Sequence, residues 1–383
     1  KGLEAVMEAT GAKEGHIAVK GKYKGAIKAL EGLIVGKPVK IKILGDFYPA
    51  GDEHVLVYET LGRLVPQGAL PLDAGAVVIN VETLLNIANS LEGIPVTHTY
   101  LTICGEVPQP LTVRAPVGLS VREALLLAGA RPGQNLAVLE GGPMMGKIVA
   151  DLDQPITKTT KGLIVLPGNH PVIRKKSMPL DKIIRQARVS CLQCRYCTDL
   201  CPRYLLGHKL EPHKIMAALR HPRAREEVLK TAWACSECGA CEQFACLLQL
   251  SPRLVNSFLK QELARKNLKL KEPNTGQKIH PLQAHRKIPV KRLLSRLALV
   301  DYDRPAPLAE IHIKPDKVSI PLKQHAGLPA EPLVKTGERV EKGQLIAAIT
   351  EGKIGACVHA SIDGVVTQVS DAAIVIASEK GSG

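Results

Sequence analysis

Aromatic residues are scarce in this chain: one Trp, seven Tyr and three Phe make up 3% of its 383 residues. Proteins that bind single-stranded nucleic acids stack the bases on aromatic side chains, and the sequence contains no helix-turn-helix, zinc-finger or RNA-binding signature. The excess of 51 Lys and Arg over 36 Asp and Glu therefore does not indicate nucleic-acid binding, and we expect no nucleic-acid partner. Such a charge also suits an acidic partner or an anionic cofactor.

Long apolar runs are absent as well. No stretch approaches the roughly 18 residues needed to span a bilayer, and no signal peptide opens the chain. We therefore expect a cytoplasmic protein without a transmembrane segment. The length predicts about two to four domains. Because Lys1 already lies in an apparent helix, we expect the sequence to be a fragment of a longer protein.

Cysteines, by contrast, are concentrated in one part of the chain. Eight of the ten form two runs that both open with the spacing C-x-x-C-x-x-C. The first run consists of Cys191, Cys194, Cys197 and Cys201, and the second of Cys235, Cys238, Cys241 and Cys246. Pro202 completes the bacterial ferredoxin pattern for a 4Fe-4S cluster, whereas the second run has one extra residue before its last cysteine and is followed by Leu247. Two runs predict two clusters.

The ferredoxin pattern also predicts how the runs share their ligands. In two-cluster ferredoxins the fourth cysteine of each run ligates the other cluster. We therefore predict that Cys246 completes the site of the first run and that Cys201 completes the site of the second. A pair of zinc sites is the alternative, but those sites usually show two C-x-x-C halves separated by a longer loop. Cys104 and Cys357 stand alone and are expected to be buried apolar side chains.

The first half of the chain alternates between strand and helix patterns. Residues 1–95 predict an α/β domain with a largely parallel sheet, including a strand at residues 76–79. Residues 96–148 predict a small β-grasp-type unit whose helix begins with the capping box of Ser120 and Glu123. Residues 149–179, rich in Lys, Thr and Pro, indicate a connecting arm.

The second half changes from helices to short strands. Residues 180–267 predict an α-helical domain around both cysteine runs, with helices at 211–219, 224–233 and 252–266. Residues 268–307 indicate a basic linker in which order is expected only near residues 290–299. Residues 308–380, with short β-runs and glycine turns, predict a compact barrel or sandwich that is similar to biotinyl and lipoyl carrier domains. The fold class is therefore multidomain, α/β and α+β.

Taken in this order, the parts resemble the RnfC-like electron-transfer flavoproteins, and within them the cobalamin reductases of propanediol utilisation. The resemblance covers nearly the whole chain and rests on the loop Tyr-Pro-Ala-Gly-Asp-Glu at residues 48–53, Asn-Val-Glu-Thr at residues 80–83, the glycine-rich turn at residues 141–146 and both cysteine runs. The barrel-like part follows the cluster domain, which favours the cobalamin reductases over the RnfC subunits.

The resemblance implies an N-terminally truncated FMN domain like that of the flavin subunit of complex I, then a soluble-ligand-binding β-grasp (SLBB) segment, a ferredoxin domain and a barrel-sandwich hybrid domain. It implies that five residues contact FMN, namely Gly51, Asp52, Glu53, Asn80 and Thr83. It also implies a glycine-rich phosphate loop with a lysine, followed by a Glu-Cys-Glu-Pro segment, upstream of Lys1.

The implied function is a reductase that passes electrons from NADH through FMN and two 4Fe-4S clusters to a corrinoid. The implied partners are cobalamin or a corrinoid-handling protein, together with shell or adenosyltransferase proteins of a bacterial microcompartment, inside which the protein would lie. Two alternatives stay open: an RnfC-type subunit of an NADH:ferredoxin oxidoreductase, and a non-catalytic electron-relay or scaffold protein.

No residue of the chain identifies the corrinoid independently. The corrinoid-ligating run D-x-H-x-x-G is approached only at Asp52-Glu53-His54, where Val57 replaces the required glycine. We expect His54 to lie on a helix surface, and His208 and His213 to be structural.

Overall fold

The computed structural model describes residues 1–131, 133, 135–220, 226–268 and 276–379. The chain divides into two compact units, each built from two separate stretches. Unit 1 consists of Lys1–Leu84 and Met178–Val300, and unit 2 of Leu85–Ser177 and Asp301–Gly383.

The helices and strands are as follows in chain order. Residues 1–90 form α1 Gly2–Thr10, β1 Gly15–Lys20, α2 Lys24–Glu31, β2 Val39–Leu44, β3 Phe47–Tyr48, α3 Glu53–Leu61 and α4 Val81–Ser90. Residues 98–176 form β4 His98–Gly105, β5 Leu111–Pro116, α5 Val121–Leu127, β6 Leu136–Glu140, β7 Lys147–Ile148, β8 Gly162–Pro167 and α6 Pro171–Lys176.

The cluster region and the C-terminal part continue the order. Residues 180–296 form α7 Leu180–Ser190, α8 Tyr196–Asp199, α9 Pro202–Leu205, α10 Pro212–Ala218, α11 Glu226–Lys230, α12 Pro252–Arg265, β9 Ile288–Pro289 and α13 Val290–Arg296. Residues 317–377 form β10 Lys317–Pro321, β11 Glu331–Pro332, β12 Arg339–Val340, β13 Leu345–Ala348, β14 Val358–His359, β15 Gly364–Val369 and β16 Ala373–Ala377.

The first stretch of unit 1 has a smaller sheet than expected. Strands β1 and β2 pair in parallel, with Ile17 opposite Ile41, but residues 76–79 form no strand. The predicted third strand is therefore wrong, because an apolar run of four residues finds no neighbouring strand to pair with. The described residues of this stretch contain a two-stranded parallel sheet flanked by helices.

The second stretch of unit 1 is helical, as predicted. Three of its helices begin with a proline, where the missing N–H costs nothing: Pro202, Pro212 and Pro252. Their buried faces meet in a core that includes Ile215 and Val255. The predicted helix 224–233 begins at Glu226 in α11, and its first two positions lie outside the described residues.

Within the expected linker 268–307, residues 276–300 belong to unit 1 and include a strand and a helix. Strand β9 pairs with β3, placing Phe47 opposite Pro289 and Tyr48 opposite Ile288, and α13 follows at once. The low order expected before residue 290 is wrong at β9, where the buried Ile288 packs into the protein. Helix α13 lies in the stretch 290–299, where order was expected.

Unit 2 contains the β-grasp-type sheet, whose strand order is β5-β4-β8-β6-β7. The middle strand, β8, comes from the segment 149–179 that was predicted to be a connecting arm, so that prediction is wrong. Strand β8 runs parallel to β4 and antiparallel to β6. Helix α5 covers the sheet, and the predicted capping box between Ser120 and Glu123 is confirmed.

The C-terminal strands of unit 2 form two small sheets, a four-stranded sheet of order β10-β16-β15-β12 and a three-stranded sheet of order β11-β13-β14. Their inner faces share one core that includes Ile320, Ile346 and Ile376. This arrangement confirms the predicted barrel-sandwich fold.

Candidate functional site

Two cavities in unit 1 are each lined by four cysteines. The inner cavity is lined by Cys201, Cys235, Cys238 and Cys241. The outer cavity is lined by Cys191, Cys194, Cys197 and Cys246. Each set takes three cysteines from one run and the last cysteine from the other, which is the grouping that the shared-ligand pattern predicts. The space free of protein atoms, including solvent at the mouth, is about 300 Å³ for the inner cavity and about 370 Å³ for the outer one.

The local backbone explains why three closely spaced cysteines can face one cavity. Two residues of each loop, the second and the fourth after its first cysteine, have left-handed φ angles. These are Gln193 (57°) and Arg195 (66°) in the first loop, and Glu237 (57°) and Gly239 (80°) in the second. Left-handed residues reverse the local winding of the chain. The two loops therefore repeat one conformation, although only the second uses a glycine for it.

The described residues contain no group of His, Cys, Asp or Glu that could hold a single metal ion. The cysteines instead surround open cavities, as ligands of a multi-atom cluster do. Four thiolates per cavity match the ligand set of a 4Fe-4S cluster, and each cavity supplies that set. The residues present therefore fit this group.

Burial makes these thiols costly to ionise by themselves. Burial, followed by the charges of the three cysteines that share its cavity, raises the pKa of Cys197 to about 12. Burial raises the pKa of Cys238 to about 11, and the pKa values of Cys201 and Cys241 lie well above their usual range for the same reason. Thiolate ligands need a neighbouring positive charge, which bound iron would provide.

Buried polar side chains also face the inner cavity. Arg203, Arg253 and Asn256 line it. Asn256 is 1% exposed, and its amide has no hydrogen-bond partner among the described residues. The Arg253 guanidinium lies 3.3 Å from the buried carboxylate of Glu242. Sequence reasoning missed all three lining residues, because nothing in their spacing distinguishes them from ordinary helix residues.

The predicted flavin loop, residues 48–53, contacts two residues that line the inner cavity. The Tyr48 hydroxyl donates a hydrogen bond of 2.5 Å to the Cys238 carbonyl. The Arg203 guanidinium, which lines the cavity, lies 3.2 Å from Oδ2 of Asp52. The loop therefore links the FMN-type part of unit 1 to the second cysteine run.

Asp52, the fifth residue predicted to contact FMN, caps a helix and pairs with an arginine. Its Oδ1 accepts hydrogen bonds from the backbone N–H groups of His54 (3.1 Å) and Val55 (3.2 Å), which makes it the N-cap of α3. Its Oδ2 accepts from Arg203. Both carboxylate oxygens are thus engaged inside the protein, and the FMN contact implied for Asp52 stays a prediction.

The four other residues predicted to contact FMN lie near the starts of two helices. Gly51 and Glu53 are exposed at the start of α3, and Asn80 and Thr83 are exposed at the start of α4. The Asn80 side chain accepts a hydrogen bond of 2.9 Å from the Glu82 N–H. A helix start is a common position for a phosphate contact, so these four remain predictions.

The histidines and the isolated cysteines differ partly from expectation. His54 is only 8% exposed and packs against His208 with ring centroids 5.3 Å apart, so its predicted surface position is wrong. His213 lines the outer cavity and has Nδ1 2.7 Å from the Thr198 hydroxyl; its structural role stays a prediction. Cys357 is exposed and Cys104 is half-buried; only the latter approaches the predicted burial.

Three parts of the chain match models of known families. Residues 1–89 match the Nuo51 FMN-binding domain, residues 190–251 the 4Fe-4S dicluster domain, and residues 302–382 the RnfC barrel sandwich hybrid domain. With the two four-cysteine cavities, these matches define the class of iron-sulfur flavoproteins. No helix of the described residues is long and apolar enough to cross a membrane.

Relatives identify the family. The chain is 44% identical over 379 residues to cobalamin reductase PduS of Salmonella typhimurium. The aligned segment covers 98% of this chain and 83% of that protein. PduS of Citrobacter freundii is 43% identical over 378 residues, with the same coverage. The chain therefore belongs to the PduS family. A further relative, a component of the proton-translocating ferredoxin:NAD(+) oxidoreductase complex of Clostridium ljungdahlii, is 31% identical over 206 residues, 53% of this chain and 42% of that protein.

Proposed function

We propose that this protein is a cobalamin reductase that passes electrons from NADH through FMN and two 4Fe-4S clusters to a corrinoid. The contacts of the predicted flavin loop with Cys238 and Arg203, which line the inner cavity, carry the proposal. The hydrogen bond from Tyr48 to the Cys238 carbonyl holds the loop against the second cysteine run, and the ion pair of Asp52 with Arg203 holds it against the end of the first run. A flavin bound beside this loop would lie close to the inner cluster.

The ligand assignment follows from the two cavities. Cys201, Cys235, Cys238 and Cys241 would hold the inner cluster, and Cys191, Cys194, Cys197 and Cys246 the outer one. Gly51, Asp52, Glu53, Asn80 and Thr83 would contact FMN.

The cofactors would supply the redox chemistry: a flavin accepts a hydride from NADH, and clusters carry single electrons. The protein would position them in series. Tyr48 and Arg203 hold the flavin loop at the inner cavity, and the outer cavity lies nearer the surface, since Cys194 is exposed. Electrons would therefore pass from the flavin to the inner cluster and then to the outer cluster.

The corrinoid acceptor is proposed from the family. The relatives that match 98% of this chain are named cobalamin reductases. We extend the proposal, on the same resemblance, to a cytoplasmic protein inside a propanediol-utilisation microcompartment, with shell or adenosyltransferase proteins as partners.

The test is a cofactor and turnover measurement on the full-length natural protein, purified without oxygen. We expect about eight irons and eight acid-labile sulfides, one FMN per chain, and NADH-dependent reduction of hydroxocobalamin followed by its absorbance. Clusters without FMN would refute the reductase and favour a relay protein. Stoichiometric zinc would refute the clusters.

An RnfC-type subunit is the second candidate, because residues 302–382 match the RnfC barrel model. In this chain the barrel follows the cluster region at 190–251, the order that favours the cobalamin reductases. Rapid NADH-dependent reduction of ferredoxin with no reduction of hydroxocobalamin would favour the RnfC-type function.

A further inference from the structure

The outer cavity opens at the protein surface through an apolar mouth. Three leucines that line it are unusually exposed: Leu192 at 74%, Leu247 at 62% and Leu248 at 44%. Cys194, one of its four cysteines, is also exposed, whereas Cys201 of the inner cavity is buried. Exposed apolar side chains grouped at one site commonly mark an interaction surface.

Arginines border this mouth. Arg220 donates from Nε to the Arg188 carbonyl at 2.7 Å, and from Nη2 to the Cys191 carbonyl at 3.4 Å. Arg296 donates from Nη2 to the Cys246 carbonyl at 3.2 Å. Both guanidinium groups are therefore held at the two loops that form the outer cavity.

These two arginines keep their charge available. Arg220 and Arg296 are exposed, and within the described part of the chain their hydrogen bonds go to backbone carbonyls and not to carboxylates. Arg195 also lines the cavity; its guanidinium is 3.8 Å from the carboxylate of Asp199, and half of its side chain is exposed. An apolar centre with a basic border complements a partner whose own apolar patch has an acidic border.

We propose that the mouth of the outer cavity, defined by Leu192, Leu247, Leu248, Arg220 and Arg296, docks an acidic electron-transfer protein. The inference rests on the proposed cluster function and adds the exit point and the charge of the partner. One electron leaves the reduced outer cluster, which is oxidised, and reduces the redox centre of the partner. No atom or proton has to move.

A protein partner fits this mouth better than a lipid surface. Membrane-surface sites usually consist of a continuous amphipathic helix, whereas these leucines lie in two loops that follow Cys191 and Cys246. The mouth also surrounds a redox site, so docking there shortens the distance that an electron must travel.

The test uses the holoprotein reduced chemically under argon, so that neither NADH nor the flavin has to deliver electrons. Stopped-flow mixing with two one-electron acceptors of opposite charge, acidic plastocyanin and basic cytochrome c, measures the second-order rate as a function of salt. We expect the plastocyanin rate to fall about tenfold between low and high salt. The cytochrome c rate should not fall with salt.

Variants test whether the fast, salt-dependent reduction of plastocyanin occurs at the mouth. Leu192→Asp should slow plastocyanin reduction at low salt by about tenfold. The matched control is Leu33→Asp, because Leu33 is 67% exposed elsewhere in unit 1; it should leave the rate unchanged. Arg220→Gln and Arg296→Gln, which keep the apolar mouth, should each slow plastocyanin about threefold and weaken the salt dependence. Each plastocyanin rate is divided by the rate of the same variant with the neutral acceptor benzoquinone, which corrects for a change in the reactivity of the cluster itself.

Several results would overturn the docking surface. One is a plastocyanin rate that does not depend on salt, and another is an equal change of that rate by Leu192→Asp and Leu33→Asp. A third is binding of the protein to anionic phosphatidylserine vesicles that the arginine variants abolish. Equal slowing of free hydroxocobalamin and plastocyanin by Leu192→Asp would show a small-molecule site instead. If Leu192→Asp loses iron, the rates of the two arginine variants show whether the mouth docks the acidic partner. A preparation without clusters would refute the proposed function itself, whereas intact clusters with no variant effect refute only the docking surface.

Discussion

Arg203 reaches Asp52 across 151 residues of sequence, with Nη2 3.2 Å from Oδ2. Both side chains are nearly buried, at 10% and 7% exposure. Arg203 stands two positions after Cys201 and lines the inner cavity, and Asp52 caps α3 in the predicted flavin loop. One ion pair therefore connects the start of an FMN-type helix to a cysteine run.

Removing one partner of this pair should destabilise unit 1. Asp52→Ala leaves the buried Arg203 unpaired, which costs about 3–5 kcal/mol, and removes an N-cap worth about 1 kcal/mol. Urea unfolding can be followed by the fluorescence of Trp233, the single Trp of the chain. The control is Asp181→Ala, since the pair of Asp181 with Arg185 is largely exposed and should contribute little. Equal shifts of the two unfolding midpoints would contradict a buried pair.

The same pair should influence the inner cluster electrostatically. A nearby positive charge stabilises the more negative, reduced cluster. Arg203→Gln should therefore lower the midpoint potential of the inner cluster, and Asp52→Asn should raise it. Redox titration monitored by electron paramagnetic resonance measures both shifts. Shifts in the same direction would indicate a general loss of structure and not an effect of charge. The outer cluster should change less in both variants.

Single cysteine changes should show that ligands cross between the runs. Cys246→Ser should remove the outer cluster and leave the inner one, and Cys201→Ser should do the reverse. Iron should fall from about eight to about four per chain in both variants. Cys104→Ser is the control and should keep the full iron content. Loss of the cluster associated with Cys235 in the Cys246→Ser variant would contradict the crossing.

Burial of His208 should make stability depend on pH. Burial, and then the charge of Arg203, lowers the pKa of His208 to about 4, while the Val65 carbonyl opposes the shift. The unfolded chain has a His pKa of about 6.5, so below that pH it binds a proton that the folded chain excludes. Stability should therefore fall as the pH falls from about 6.5 towards 4, by about 2 kcal/mol at pH 5.

Comparing variants isolates this contribution. His208→Leu should lose that part of the pH dependence, and the change at the exposed His285, His285→Leu, should retain it. Urea unfolding at pH 7.5 and pH 5 measures the difference. An identical pH dependence in the wild type and in His208→Leu would contradict the effect.

Local features of the fold could be predicted from the sequence. The capping box of Ser120 and Glu123 formed as expected, because all of its hydrogen bonds lie within one helical turn. The barrel-sandwich strands were also predicted, since turns and alternating apolar residues are short-range signals. Long-range partners were not predictable in this way: the sequence of 149–179 does not show that β8 is the middle strand of a sheet.

The spacing of the cysteines by itself determined the two ligand sets that we propose, because three thiolates within seven residues and a shared fourth are properties of short loops. Only the tertiary structure decided which set lies beside the flavin loop and which opens to the surface. That distinction depends on contacts between distant segments, such as Tyr48 with Cys238 and Asp52 with Arg203. It also showed that Asp52 forms a buried ion pair with Arg203, a partner that its carboxylate needs because burial of an unpaired charge costs much free energy.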